Sequence, residues 1–93
     1  MLAAAESQQL SGQQVLKGLA VGIEVMCRLG LVVQKGVHSA GFHPTGVLGT
    51  MGATAAVSAA CKLSTNANVN AAGIAGSMAS GIIEYLADGT WTK

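Results

Sequence analysis

Apolar residues between Val15 and Val32 recur with helical spacing. Val15, Leu16, Leu19, Ile23, Met26, Leu29 and Val32 follow steps of one, three or four, the period of a helix and not the alternation of a strand. The charges Lys17, Glu24, Arg28 and Lys35 are spaced by seven, four and seven, which confines them to one stripe. Nearly everything else round this segment is apolar, so the pattern predicts a helix that is largely enclosed, with a solvated charged edge. Ser11-Gly12-Gln13-Gln14 has capping-box spacing and sets the start; the helix should run to about Val33. Glu24 and Arg28 stand four apart, an ion pair worth a few tenths of a kcal/mol (~0.3–0.5).

Gly36, Gly41 and Pro44 mark a loop from Gln34 to Thr45. Proline disfavours the α conformation in the residue before it, so His43 should be extended. Thr45 is the expected N-cap of a second helix over about Gly46 to Lys62, where Gly49, Ala53, Ala56 and Ala60 form a ridge small enough for close helix approach. A break follows at Leu63 to Asn68, with Ser64, Thr65 and Asn66 all acceptable caps. The third helix should pass through Ile74, Met78 and Ile82 to about Leu86, its internal glycines offset by packing. Asp88-Gly89 reads as a turn, and Thr90 to Lys93 as an exit segment. The fold class expected is all-α, a unit of about three helices.

Composition changes that picture in one respect. Half of the 93 residues are apolar, but Phe, Tyr and Trp occur once each and alanine dominates, so each buried side chain removes little area at roughly 25 cal/mol per Å². The core is therefore expected to be completed by further sequence or by another chain. A net charge of +1 with no basic stripe gives no case for nucleic acid or an anionic membrane surface. The uncharged run from Val37 to Cys61 is interrupted by Gly, Thr, Ser, His and Pro, which favours a helix buried in protein over a membrane span. Met1 to Glu6 lacks a basic region followed by a long apolar core, and no arginine precedes Arg28, so neither a secretory signal nor a transit peptide is expected. Cys27 and Cys61 stand alone, without the clustering of a zinc site or a disulfide framework, and read as small buried hydrophobes in a reducing compartment.

No phosphate-binding glycine motif and no nucleophile elbow is present, and neither a metal nor another cofactor is called for. The strongest single candidate for chemistry is His43, whose imidazole can exchange a proton near neutral pH or pair with a carboxylate; beside a proline, a lone histidine is more often a structural residue. His38 is a weaker candidate. Taken alone, Lys93 reads as a solvated lysine, Asp88 as a turn residue and Glu84 as a surface residue.

Three blocks together resemble the MmgE/PrpD family of 2-methylcitrate dehydratases and related lyases. They are Leu16 to Gly30 (LKGLAVGIEVMCRLG), Gly41-Phe42-His43-Pro44-Thr45-Gly46, and Gly73-Ile74-Ala75-Gly76-Ser77 continuing to Leu86-Ala87-Asp88-Gly89-Thr90-Trp91-Thr92-Lys93. The resemblance implies a large all-α domain with a smaller α/β lid, usually in a homodimer, and an active site in the cleft between them. Residues 1–93 would be part of the helical domain, incomplete at both ends, with the lid and an upstream aspartate and histidine missing. Activities in such a family are dehydration of 2-methylcitrate, decarboxylation of cis-aconitate and epimerisation of iminodisuccinate. His43 falls on the family's active-site histidine in the F-H-P motif, and Lys93 on the lysine of its W-T-K motif. The resemblance thus implies proton transfer or carboxylate contact for His43 and carboxylate binding for Lys93. Thr45 and Ser77 are further candidates for the pocket wall, and capping and packing explain both equally.

The expected function is a carboxylate lyase of which this chain is an inactive part. The alternative is a non-catalytic helical interaction module, and a small membrane protein is third. Partners expected are a di- or tricarboxylate substrate and either a second copy or the rest of the same enzyme. The compartment implied is the cytoplasm or the mitochondrial matrix.

Overall fold

The computed structural model describes residues 1–89. Among them are six helices in the order α1 (Leu2–Ser7), α2 (Gly12–Val33), α3 (Gly36–Ser39), α4 (Pro44–Ala60), α5 (Thr65–Met78) and α6 (Tyr85–Asp88). The fold is all-α, and α4 is its centre, packing against α2 and against α5.

The expected start of α2 is realised in full. Ser11 is extended, its side chain accepts from the Gln14 amide, and the Gln14 carboxamide returns to the Ser11 amide. Gln14 also donates to the Ala60 carbonyl at 3.3 Å, tying the start of α2 to the end of α4. Glu24 and Arg28 form the expected pair at 2.6 Å with both side chains exposed, which contributes little. α4 ends in a Schellman arrangement. Lys62 takes a left-handed φ of 54°, while the Lys62 and Leu63 amides donate to Ala59 and Ser58.

The helix contact is made by glycine on one side and alanine on the other. Gly18 and Gly22 are buried in α2 against Gly52, Ala56 and Ala60 of α4. A Cβ at Gly22 would lie 2.6 Å from the Gly52 carbonyl oxygen and 2.7 Å from the Ala56 Cβ. Of the ridge expected on α4, Ala56 and Ala60 belong to this contact. Ala53 is exposed, and Gly52 takes the place in the seam that the sequence pattern gave to its neighbours.

Several expectations are corrected. α2 is not enclosed: Leu16, Ile23, Leu31 and Val32 are exposed, Val32 to 80 %, because the close packing of α2 is with α4, along its Gly18–Gly22 side. Cys27 is exposed and Cys61 half-buried, so neither is a core residue. The loop after α2 contains the single turn α3, and α1 precedes Ser11. α4 begins two residues earlier than predicted: Pro44 occupies its first turn and His43, not Thr45, is the N-cap. Proline's fixed φ and missing N–H suit that position. The third helix starts at Thr65, with the Ser64 hydroxyl accepting from Ala67, and stops at Met78, not Leu86. Ala79 turns extended and Gly81 has φ +139°, a conformation that residues other than glycine rarely adopt. That turn takes Ile82 into an antiparallel bridge with Phe42.

Among the described residues no helix is long and apolar enough to cross a membrane.

Candidate functional site

His43 sits where two distant stretches of chain cross. Its backbone is extended (φ −82°, ψ 113°), as the following proline requires. Its amide donates to the Gly81 carbonyl at 2.7 Å, and the Ile83 amide donates to the Gly41 carbonyl at 3.1 Å. These bonds flank the Phe42–Ile82 bridge and pin the loop before α4 to the segment after α5. On one side, α3 feeds the crossing through bonds from Gly41 to His38 and from Phe42 to Val37. On the other, the His43 carbonyl accepts from the Gly46 and Val47 amides and opens α4.

The crossing depends on glycine. A Cβ on Gly46 would stand 2.8 Å from the Ser80 carbonyl oxygen, and one on Gly81 would touch the His43 Cβ at 3.9 Å. The first distance leaves no room for a side chain against backbone.

The same crossing brings Tyr85, the first residue of α6, to the His43 ring. The rings meet edge to face, with centroids 5.7 Å apart and planes at 83°, a favourable aromatic geometry. The Tyr85 hydroxyl lies 3.4 Å from His43 Nε2. Nδ1 of the same ring is buried and has no hydrogen-bond partner among the described residues. The imidazole is thus half-buried, oriented by a phenol and a backbone clamp. That suits a group that moves a proton or contacts a substrate oxygen.

Among the described residues, Thr45, Ser77, His38 and Glu84 make no hydrogen bond to this ring. Lys93 lies outside the described residues. Thr45 is exposed in the first turn of α4 and makes no cap. The Ser77 hydroxyl is exposed and donates to the Ile74 carbonyl of its own helix at 2.7 Å, so helix-internal bonding accounts for it. His38 is exposed in α3, and Glu84 is exposed before α6. Tyr85 was missed by sequence reasoning, which placed it inside a continuous third helix. The signal available was the glycine at 81 followed by Ile82-Ile83, a break with a short extended run.

The hollow between α2 and α4, about 230 Å³, is lined by Met1, Leu19, Ile23, Met26 and small residues. With no polar side chain in its wall, it offers nothing to a carboxylate. Among the described residues no group of three or more His, Cys, Asp or Glu is placed to hold a metal ion.

No curated protein and no solved structure matches the chain. The sequence profile of the MmgE/PrpD N-terminal domain, however, matches residues 1–93. An all-α unit agrees with that match, and the chain belongs to the MmgE/PrpD family as N-terminal-domain sequence.

Proposed function

We propose that this chain is part of the helical domain of a carboxylate lyase that acts on short di- or tricarboxylates, of the 2-methylcitrate dehydratase type. The carrying observation is the oriented, half-buried imidazole of His43 beside Tyr85. In such a reaction a base removes the proton α to a carboxylate, the electron pair forms the new double bond, and hydroxide leaves as water after protonation. The carboxylate and the developing enolate-like charge need fixed donors or cations. His43 supplies proton transfer or carboxylate contact, and Lys93 supplies a carboxylate-binding cation; Thr45 is a lesser contact. Decarboxylation of cis-aconitate or epimerisation of iminodisuccinate uses the same elements, and the pocket residues decide among them. The compartment that accords with this reading is the cytoplasm, with the mitochondrial matrix as the alternative.

The exposed faces support a larger working assembly. A folded 9.2 kDa chain should expose about 4,900 Å², whereas this one exposes 6409 Å². Leu16, Ile23 and Leu31 on α2 and Val69, Ile74 and Met78 on α5 contribute to the excess. In this reading those faces are covered by other helical elements of the enzyme or by a second copy, and the chain by itself has no turnover. The same faces favour the second reading, a helical interaction module without catalysis.

The test is a lyase assay of the full-length protein with 2-methylcitrate, citrate and cis-aconitate, beside His43→Ala and the 93-residue chain. Turnover should fall by about 10²–10⁴ in the variant and be absent from the short chain. Unchanged turnover in His43→Ala removes that residue from the chemistry. A full-length protein inert toward all three substrates shifts the assignment to the interaction module.

A further inference from the structure

We propose that Tyr85 is a positioning residue for His43: its phenol oxygen accepts from Nε2–H and, in the neutral imidazole, selects the tautomer whose Nδ1 carries no proton. Two observations carry this. The Tyr85 oxygen and Nε2 are 3.4 Å apart across an edge-to-face ring pair, a long contact of the kind that tightens when a site is occupied. Nδ1 is buried without a partner among the described residues.

A neutral imidazole has one N–H and one bare nitrogen, and the environment decides which is which. Were the proton on Nδ1, a buried N–H would lack any acceptor, which native structures very rarely tolerate; a buried acceptor without a donor is tolerated more often. With the proton on Nε2, the donor has the Tyr85 oxygen and only the acceptor is left unpaired. The phenol then keeps its own O–H free to donate onward. The ring pair also restricts rotation of the imidazole plane, while the backbone bond from His43 to Gly81 fixes the point from which the side chain departs. Both constraints arise from the segment after α5, so Tyr85 and Gly81 together set the direction of the ring.

The kinetic consequence rests on the carboxylate-lyase reading, but the tautomer does not. The experiment therefore has two arms, both on the full-length protein with Tyr85→Phe, which keeps the aromatic ring and removes only the hydroxyl. In the first, ¹⁵N NMR of the histidine rings should show His43 protonated at Nε2 and bare at Nδ1, with the Nε2 signal displaced in Tyr85→Phe. His38, exposed on α3, serves as the unchanged control. A wild-type ring protonated at Nδ1, or a His43 signal indifferent to the substitution, overturns the proposal.

In the second arm, Tyr85→Phe should lower kcat by about 3- to 10-fold, the loss expected for one orienting hydrogen bond, with KM little changed. In a His43→Ala background it should cost nothing further, because Tyr85 acts through the ring. An equal loss in both backgrounds overturns the positioning role. If the wild type turns over no carboxylate, it is the lyase reading that fails, and the NMR arm alone decides on Tyr85.

Discussion

Substituting Gly22 by alanine tests whether the α2–α4 seam is the element that holds the unit together. In an exposed helix interior this exchange should stabilise by up to about 1 kcal/mol, since alanine is the better helix former. Here the added Cβ would meet the Gly52 carbonyl oxygen at 2.6 Å and the Ala56 Cβ at 2.7 Å. The first of these is backbone and cannot rotate away. The helices must therefore separate by roughly half an ångström or more, and contacts along the whole seam lengthen together. Overpacking of this kind costs about 1–3 kcal/mol, and at this seam the upper half of that range should outweigh the propensity gain. We expect net destabilisation of about 1–2 kcal/mol, a loss of roughly 4–16 °C in Tm for a unit of this size. Gly76→Ala is the control. Nothing lies within 4 Å of a Cβ there, so the propensity term acts alone and the protein should gain about 0.5–1 kcal/mol. The assay is urea unfolding followed by far-UV circular dichroism for both variants and the wild type. A Gly22→Ala midpoint equal to or above the wild type would refute the close seam.

Two further outcomes follow from local geometry. Ser11→Ala removes the capping hydroxyl of α2 and should cost about 1 kcal/mol, read as a lower urea midpoint. Gly46→Ala places a Cβ 2.8 Å from the Ser80 carbonyl and should force the crossing open. Hydrogen exchange at the His43 and Ile83 amides should accelerate by at least about tenfold, the effect of about 1.4 kcal/mol on local opening, while amides inside α2 keep their protection; unchanged exchange at both would contradict the clamp.

The parts of the fold that depend on neighbours in sequence were legible. The capping box at Ser11 and Gln14, the Glu24–Arg28 pair, the extended backbone of His43 before Pro44 and a cap among Ser64, Thr65 and Asn66, realised by Ser64, all involve residues within four positions of one another. The errors share a cause. Ile74, Met78 and Ile82 keep helical spacing and predict a third helix through to Leu86, yet the backbone leaves the helix at Ala79 to pair Ile82 with Phe42. Period alone cannot register a partner forty residues away. The enclosure expected of α2 failed similarly: its apolar residues go nearly all round, but its close packing is with α4, along the Gly18–Gly22 side.

For the candidate site, the sequence exposed the imidazole and concealed its support. The imidazole was evident from the F-H-P motif, whereas what holds it is a pair of backbone bonds to Gly81 and from Ile83, together with the Tyr85 ring. None of these can form unless α5 packs on α4 and delivers its end to the loop. Closing so long a loop is costly in entropy, and two hydrogen bonds of about 1 kcal/mol each do not offset that cost unaided. The α4–α5 contact must supply the remainder. The orientation of His43 is therefore a property of helix packing, and weakening that packing far from the imidazole should disorder the site before it unfolds α2.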